Sequence, residues 1–295
     1  MNPLQPLLPF DILNKIVACV PVVSSPGCKI PTPTLAALST TCRALTAPAQ
    51  RRLFEKIALI TPLGWSTAHK PDTRTIALRD LFRTSPHLAS YGLTVLFIMD
   101  EPDDEYMDMS TEILQCILQN ASAHDIFIAT PDVELPMDWT SLKPGLQEVL
   151  VGLCHSVHVR AIRLRGITRI PMAILEAPAL QKVNLESVYS FLPPQTSADA
   201  DASGLEGSAE GESTKSEVKV GTIVFHDDDG KGMRALREVL KVASQLREFE
   251  IHSKYIYIMF STIQNNVPSS RFPFFADTTQ MTINFVDPQL SSETP

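Results

Sequence analysis

Eight short runs of one form, apolar-x-x-apolar-x-apolar, recur along this chain and constrain its fold more than any other feature. They are Phe54/Ile57/Leu59, Leu93/Leu96/Ile98, Ala123/Ile126/Ile128, Val159/Ile162/Leu164, Leu180/Val183/Leu185, Val220/Ile223/Phe225, Leu246/Phe249/Ile251 and, with a polar first position, Gln280/Ile283/Phe285. The closing alternation predicts strands with one buried face. The pattern alone is cheap, since a chain that is 44% apolar gives about 25 chance matches to it. Its weight comes from the residues between the runs. Leu146, Val149, Leu150 and Leu153 form a helical stripe behind Pro144. Leu236, Val239, Leu240 and Ala243 form another, and Ile113, Cys116 and Ile117 a shorter one. Helix then strand, repeated about every 20 to 40 residues, predicts an α/β fold built as a stacked helix–strand array. A doubly wound sheet alternates similarly, but its strand–helix turns need glycine. Here 12 glycines stand against 23 prolines.

Ahead of the array, residues 8–56 read as a three-helix unit. Pro9 suits a helix start, and Asp11 places negative charge in the first turn, where the helix dipole favours it. Leu13, Ile16, Val17 and Val20 make one apolar stripe, which Pro21 ends. A loop with four prolines runs to Pro33. A second helix begins at Thr34 and carries Leu35, Leu38 and Cys42 inward, and a third runs from Ala47 to Phe54 with Pro48 in its first turn. The expected units are a helical one over 6–58, the array over 59–287 and a loose tail over 288–295. Residues 195–217 hold a single large apolar side chain, Leu205, and are expected to form a disordered acidic insertion between strands.

The charge balance narrows the partners. There are 25 Lys and Arg against 33 Asp and Glu, net −8. A nucleic-acid partner is not expected, because phosphate neutralisation needs clustered cations, and Arg160, Arg163 and Arg165 make at most a small local patch. Five cysteines (Cys19, Cys28, Cys42, Cys116, Cys154) include no CxxC pair, so neither a disulfide framework nor a zinc ribbon is expected. The N-terminus lacks a basic region, and the longest apolar run, residues 93–99, is far short of the roughly 20 residues of a membrane span. The expectation is a reduced, soluble, intracellular protein, cytoplasmic or nuclear, with no membrane partner.

Three polar motifs bear on chemistry. His155 and His158 lack a third ligand apart from Cys154, so they read as structural. The segment from His226 through Asp227, Asp228, Asp229 and Gly230 to Gly232 fits neither a calcium loop nor a P-loop. It reads as a strand-to-helix turn in which Asp228 or Asp229 caps a helix starting near Met233, with Gly230 as the permissive residue. The run Asp100-Glu101-Pro102-Asp103-Asp104-Glu105 reads as a solvated loop. Both acidic runs follow strands and could line one rim that attracts a basic partner. No Gly-x-Ser-x-Gly elbow occurs and no cysteine has a nucleophile's context. The chain is therefore expected not to be an enzyme and to need no cofactor or metal. An enzyme holding a divalent metal at Asp227–Asp229 is the distant alternative.

The N-terminal unit resembles an F-box. The segments that carry the resemblance are Leu8-Pro9-x-Asp11-Ile12-Leu13-x-x-Ile16, then Leu35-Ala36-x-Leu38-x-x-x-Cys42-Arg43-x-Leu45, then Leu53-Phe54. Order and internal spacing match over about 50 residues, with two departures. The loop between the first helices is enlarged by residues 24–29, and the tryptophan common near the motif's end is absent. The resemblance implies a helical trio that docks on the Skp-type adaptor of a cullin–RING ubiquitin ligase. It places Leu8, Pro9, Ile12, Leu13, Leu35, Leu38, Cys42 and Arg43 at or under that interface. The array likewise resembles the degenerate leucine-rich-repeat-like domains that follow F-boxes in mushroom-forming fungi, although the repeats' asparagine position is mostly missing. Together these imply a non-catalytic substrate receptor for protein degradation, whose target protein is unknown. A repeat-type interaction scaffold unconnected with ubiquitin is the alternative.

Overall fold

The computed structural model describes residues 10–18, 32–41, 43–61, 73–99, 104–192, 218–227, 230–244, 246, 248–253 and 280–284. The expected insertion at 195–217 and the tail from 288 lie outside these residues.

Three helices open the chain: α1 (Phe10–Ala18), α2 (Thr32–Thr41) and α3 (Arg43–Phe54). Two starts differ from expectation. α2 begins at Thr32 instead of Thr34, and α3 at Arg43 instead of Ala47, so Pro48 is the sixth residue of its helix and not in the first turn. The proline there forfeits one backbone bond to the preceding turn. Val17, Leu35 and Ala49 are buried, one from each helix. The Thr46 hydroxyl donates to the Ser39 carbonyl at 2.9 Å and ties α3 to α2. The far end of α3 packs on the next layer, with the Phe54 ring 6.2 Å from that of Phe82 and the Arg51 guanidinium 6.0 Å over the Tyr91 ring.

The sheet follows at once. Its strands are β1 (Lys56–Ile60), β2 (Thr94–Ile98), β3 (Asp125–Ala129), β4 (Ala161–Arg165), β5 (Lys182–Glu186), β6 (Thr222–Asp227), β7 (Glu248–Ser253) and β8 (Gln280–Asn284). β1 crosses the expected 58/59 boundary, because Lys56 already pairs with Thr94. All eight strands are parallel, and their order in the sheet is their order in the chain. A doubly wound sheet reverses its order at a switch point, and this one does not. Every added unit therefore stacks on the one before it.

The register shows what each unit buries. In β1 to β7 the second and fourth residues form two continuous columns on one face. One column is Ile57, Val95, Ile126, Ile162, Val183, Ile223 and Phe249, and the other is Leu59, Phe97, Ile128, Leu164, Leu185, Phe225 and Ile251. All of them are buried. They share one core with Phe82 of α4 (Thr73–Thr84), Leu114 and Ile117 of α5 (Asp104–Asn120), Leu146, Leu150 and Leu153 of α6 (Pro144–Cys154), and Leu236 and Val239 of α7 (Met233–Val242). The helices thus cover that face. Strand entry repeats as well. The carbonyls of Glu55, Leu93, His124, Arg160 and Gln181 each accept two N–H groups from the start of the next unit, at 2.8–3.2 Å.

Four expectations are corrected. The run pattern predicts Leu96 and Ile98 in the core, yet Val95 and Phe97 face it and Leu96 and Ile98 lie half-buried on the opposite face. Residues 93–99 include an almost unbroken apolar run, so alternation cannot choose a side. The turn position before β2 is Gly92, where a Cβ would stand 2.7 Å from Ile57 Cδ1. In β8, Met281 lies opposite Phe249 and Ile283 opposite Ile251, two residues out of step with the expected pattern. The helix predicted around Ile113 is 17 residues long and starts at Asp104, inside the acidic run read as a loop. Asp104 and Glu105 occupy its first turn, where the dipole favours negative charge. Ala243 opens a two-residue strand after α7, and Leu240 is only partly buried. The link from β4 to β5 contains a 3-10 turn, Met172–Glu176, and no α-helix, which makes this the shortest unit. Among the described residues, no helix is long and apolar enough to cross a membrane.

Candidate functional site

The residues assigned to an adaptor interface divide in two. Leu8, Pro9 and Cys42 lie outside the described residues, and Leu13 is placed only as part of α1. Leu35 is 1% exposed and belongs to the centre of the trio. Ile12 is 43% exposed on α1, Arg43 is exposed at the start of α3, and Leu38 is half-buried on α2. Behind the trio, Val17, Ala47, Pro48, Arg51, Tyr91 and Leu93 line a half-open cleft of about 350 Å³.

The second surface is the sheet face opposite the helices. The residues between the buried ones in each run form its rows. The middle row reads Ala58, Leu96, Phe127, Arg163, Asn184, Val224 and Glu250, and the row above it Ile60, Ile98, Ala129, Arg165, Glu186, His226 and His252. None of these side chains belongs to the helix-covered core. The first row, below these, reads Lys56, Thr94, Asp125, Ala161, Lys182, Thr222 and Glu248. Composition changes across the face. Over β1 to β3 the middle and upper rows are apolar, with Ile60 41% exposed and Leu96, Ile98 and Phe127 half-buried. At β4 and β5 the face is cationic: Arg163 and Lys182 are exposed, and Arg165 Nε is 3.1 Å from Glu186 Oε1. At β6 and β7 the His226 and His252 rings stack at 4.1 Å and 4°, with His252 Nε2 2.8 Å from Glu250 Oε1. Arg163 and Arg165 are visible in the sequence as a local cluster, whereas their neighbours across the strands are not. The signal was available in the x positions of the runs, once those are read across strands instead of along them.

The remaining motifs serve the fold. His155 caps the end of α6, its ring Nε2 2.5 Å from the Ala173 carbonyl, and His158 is exposed at the turn before β4. Asp228 and Asp229 lie outside the described residues. The turn after β6 is closed by buried Asp227, whose Oδ1 accepts from Gly230 N at 3.0 Å, with Gly230 at φ +77°. The first turns of α5 supply Asp108 and Asp104 to Lys143 at the start of α6, and these carboxylates raise the lysine's pKa. β2 and β6, which precede the two acidic runs, are four strands apart, about 19 Å at ordinary strand spacing. That separation argues against a single acidic rim. Among the described residues no cluster of His, Cys, Asp and Glu could hold a metal ion.

Cys154 makes one prediction of its own. It is fully buried in α6, and burial pushes its thiol up to about 12. Only the thiolate alkylates, so Cys154 should stay unmodified by iodoacetamide at pH 8 in the folded protein and react once denatured. Mass spectrometry of labelled peptides reads this out. Labelling of Cys154 in the native state as fast as in urea would contradict the packing of α6.

Compared with protein-family models and with curated protein sequences, the chain matches none.

Proposed function

We propose that the chain is the substrate-recognition subunit of an SCF-type cullin–RING ubiquitin ligase. In this reading the F-box-like trio binds a Skp-type adaptor by apolar burial, and a leucine-rich-repeat-like array holds a target protein. The chain then performs no chemistry itself. It raises the effective concentration of the target beside the ligase's other subunits, which transfer ubiquitin. The observation that carries the reading is the exposure of Ile12, at a position where the motif expects an adaptor contact. The half-exposure of Leu38 and the exposure of Arg43 support it. The sheet face opposite the helices, with Ile60, Arg163 and Lys182 exposed on it, offers a surface for the target.

One observation favours the rival reading of a scaffold whose N-terminal helices only cap the array. The end of α3 packs on the first layer through Phe54 against Phe82 and Arg51 over Tyr91. The test separates the two. Ile12→Asp, and separately Leu8→Asp with Pro9→Ala, should weaken binding to a purified Skp-type adaptor by about thirty-fold or more, as loss of an interface anchor does. Because Ile12 is exposed, Ile12→Asp should leave the melting temperature within error. Adaptor binding unchanged in both variants, or absent from the unaltered chain, would decide for the scaffold.

A further inference from the structure

Resting on the receptor reading above, we infer that the open sheet face takes an extended peptide segment in which apolar side chains sit close to one acidic side chain, the acid being seated on Arg163. Two observations lead there. The middle and upper rows of the face are apolar over β1 to β3 through Ile60, Leu96, Ile98 and Phe127, and cationic immediately beside them. Arg163 is the register partner of Phe127, it is exposed, and it makes no ion pair among the described residues. Lys182, one strand further and one row below, is likewise exposed and unpaired among them, whereas Arg165 is already matched by Glu186. In a chain of net charge −8, these two cations stand beside the apolar residues without an ion-pair partner among the described residues.

The second observation is that the cationic strip is bounded by carboxylates. Asp125 and Glu248 stand in the first row of the face and Glu250 in the middle row. A nucleic-acid backbone crossing the strands would meet repulsion on both sides of the arginine, whereas a single acid would not.

Spacing sets the size of the segment. Strands lie about 4.8 Å apart, so Leu96 on β2 and Arg163 on β4 are about 10 Å apart across the sheet. An extended peptide rises about 3.3 Å per residue, so roughly three residues bridge that distance. The acid therefore falls about three positions from the apolar pair. It is a carboxylate, because the bounding Asp125, Glu248 and Glu250 repel a phosphate dianion more strongly than a single negative charge.

The experiment uses the full chain and fluorescein-labelled 15-residue peptide pools. Each carries a Leu-Phe pair followed three residues later by Glu, phosphoserine, Gln or Lys, and a 15-nucleotide oligo-uridine serves as a fifth probe. By fluorescence anisotropy, the Glu pool should bind at least tenfold tighter than the Gln pool and at least as tightly as the phosphoserine pool; tighter binding of the phosphoserine pool would overturn the carboxylate. Arg163→Glu should erase that preference and favour the Lys pool. Arg163→Gln should erase it without creating the new one. Since Arg163 is exposed, melting curves of both variants should match that of the parent. Equal binding of the Glu, phosphoserine and Gln pools, no binding by any pool, an acid preference that survives in both variants, or oligo-uridine binding as tight as the acid pools would each overturn the proposal. Adaptor binding, measured on the same preparations, reports on the receptor reading separately: its loss with acid selection intact defeats that reading alone.

Discussion

Replacing Leu150 by alanine should destabilise the protein by about 2–5 kcal/mol. Leu150 is 0% exposed on α6, in the core that joins the helices to the two strand columns. Removing its methyl groups costs the transfer energy of the lost atoms and leaves a cavity that close-packed neighbours fill only in part. For a protein of this size each kcal/mol lowers the melting temperature by roughly 2–4 °C. Leu240 on α7 supplies the control. It belongs to a similar stripe in the sequence but is only partly buried, so Leu240→Ala should cost distinctly less. Equal losses for the two variants in urea unfolding would mean that the burial of α6 and α7 is misassigned.

Gly166→Ala should be as damaging, for a backbone reason. Gly166 ends β4 at φ +63°, and a Cβ added there would stand 2.2 Å from Thr130 Cγ2. The left-handed conformation costs a residue with a side chain about 1–2 kcal/mol, and forcing a methyl into a filled space about 1–3 kcal/mol more. Thr130 cannot easily yield. It is 1% exposed, its N–H donates to the Arg165 carbonyl at 3.0 Å, and its hydroxyl donates to the Asp132 carbonyl at 3.2 Å. A second substitution separates the two contributions. Thr130→Ser removes the clashing methyl and keeps the hydroxyl, so in the Gly166→Ala background it should recover the steric part and leave the conformational part. Failure of Thr130→Ser to recover any stability would show that the clash is not the cause. Gly166 also donates its N–H to the Glu186 carbonyl at 2.9 Å, at the end of the strands that carry Arg163 and Asn184. Damage there should reach the open face as well as the core.

Both variants act on features of unequal legibility. The buried columns could be read from local alternation. Ile126 with Ile128, Ile162 with Leu164 and Val183 with Leu185 are two residues apart, and successive side chains of a strand leave on opposite faces. The stripe of α6 was legible for the corresponding reason, because Leu146, Val149, Leu150 and Leu153 fall on one side of a helix. Where local rules leave two solutions, the sequence could not choose. Leu93 to Met99 satisfies either face of β2, and packing against Ile57 across Gly92 decided it. Asp104 and Glu105 suit a loop or a helix start equally, and the docking of α5 on the core made them a helix start.

The open face belongs wholly to the tertiary structure. Phe127, Arg163 and Asn184 are 36 and 21 residues apart in the chain and meet only because β3, β4 and β5 pair in register. Nothing near Arg163 in sequence marks it as different from Arg165, yet one is free among the described residues and the other is matched by Glu186. The pairing of His226 with His252 depends likewise on β6 lying beside β7. The sequence by itself determined which side of most strands is buried, since burial follows from a period of two within five or six residues. Which outward side chains become neighbours was decided by strand stacking, since a spacing of about 4.8 Å between strands brings together residues that no local window contains.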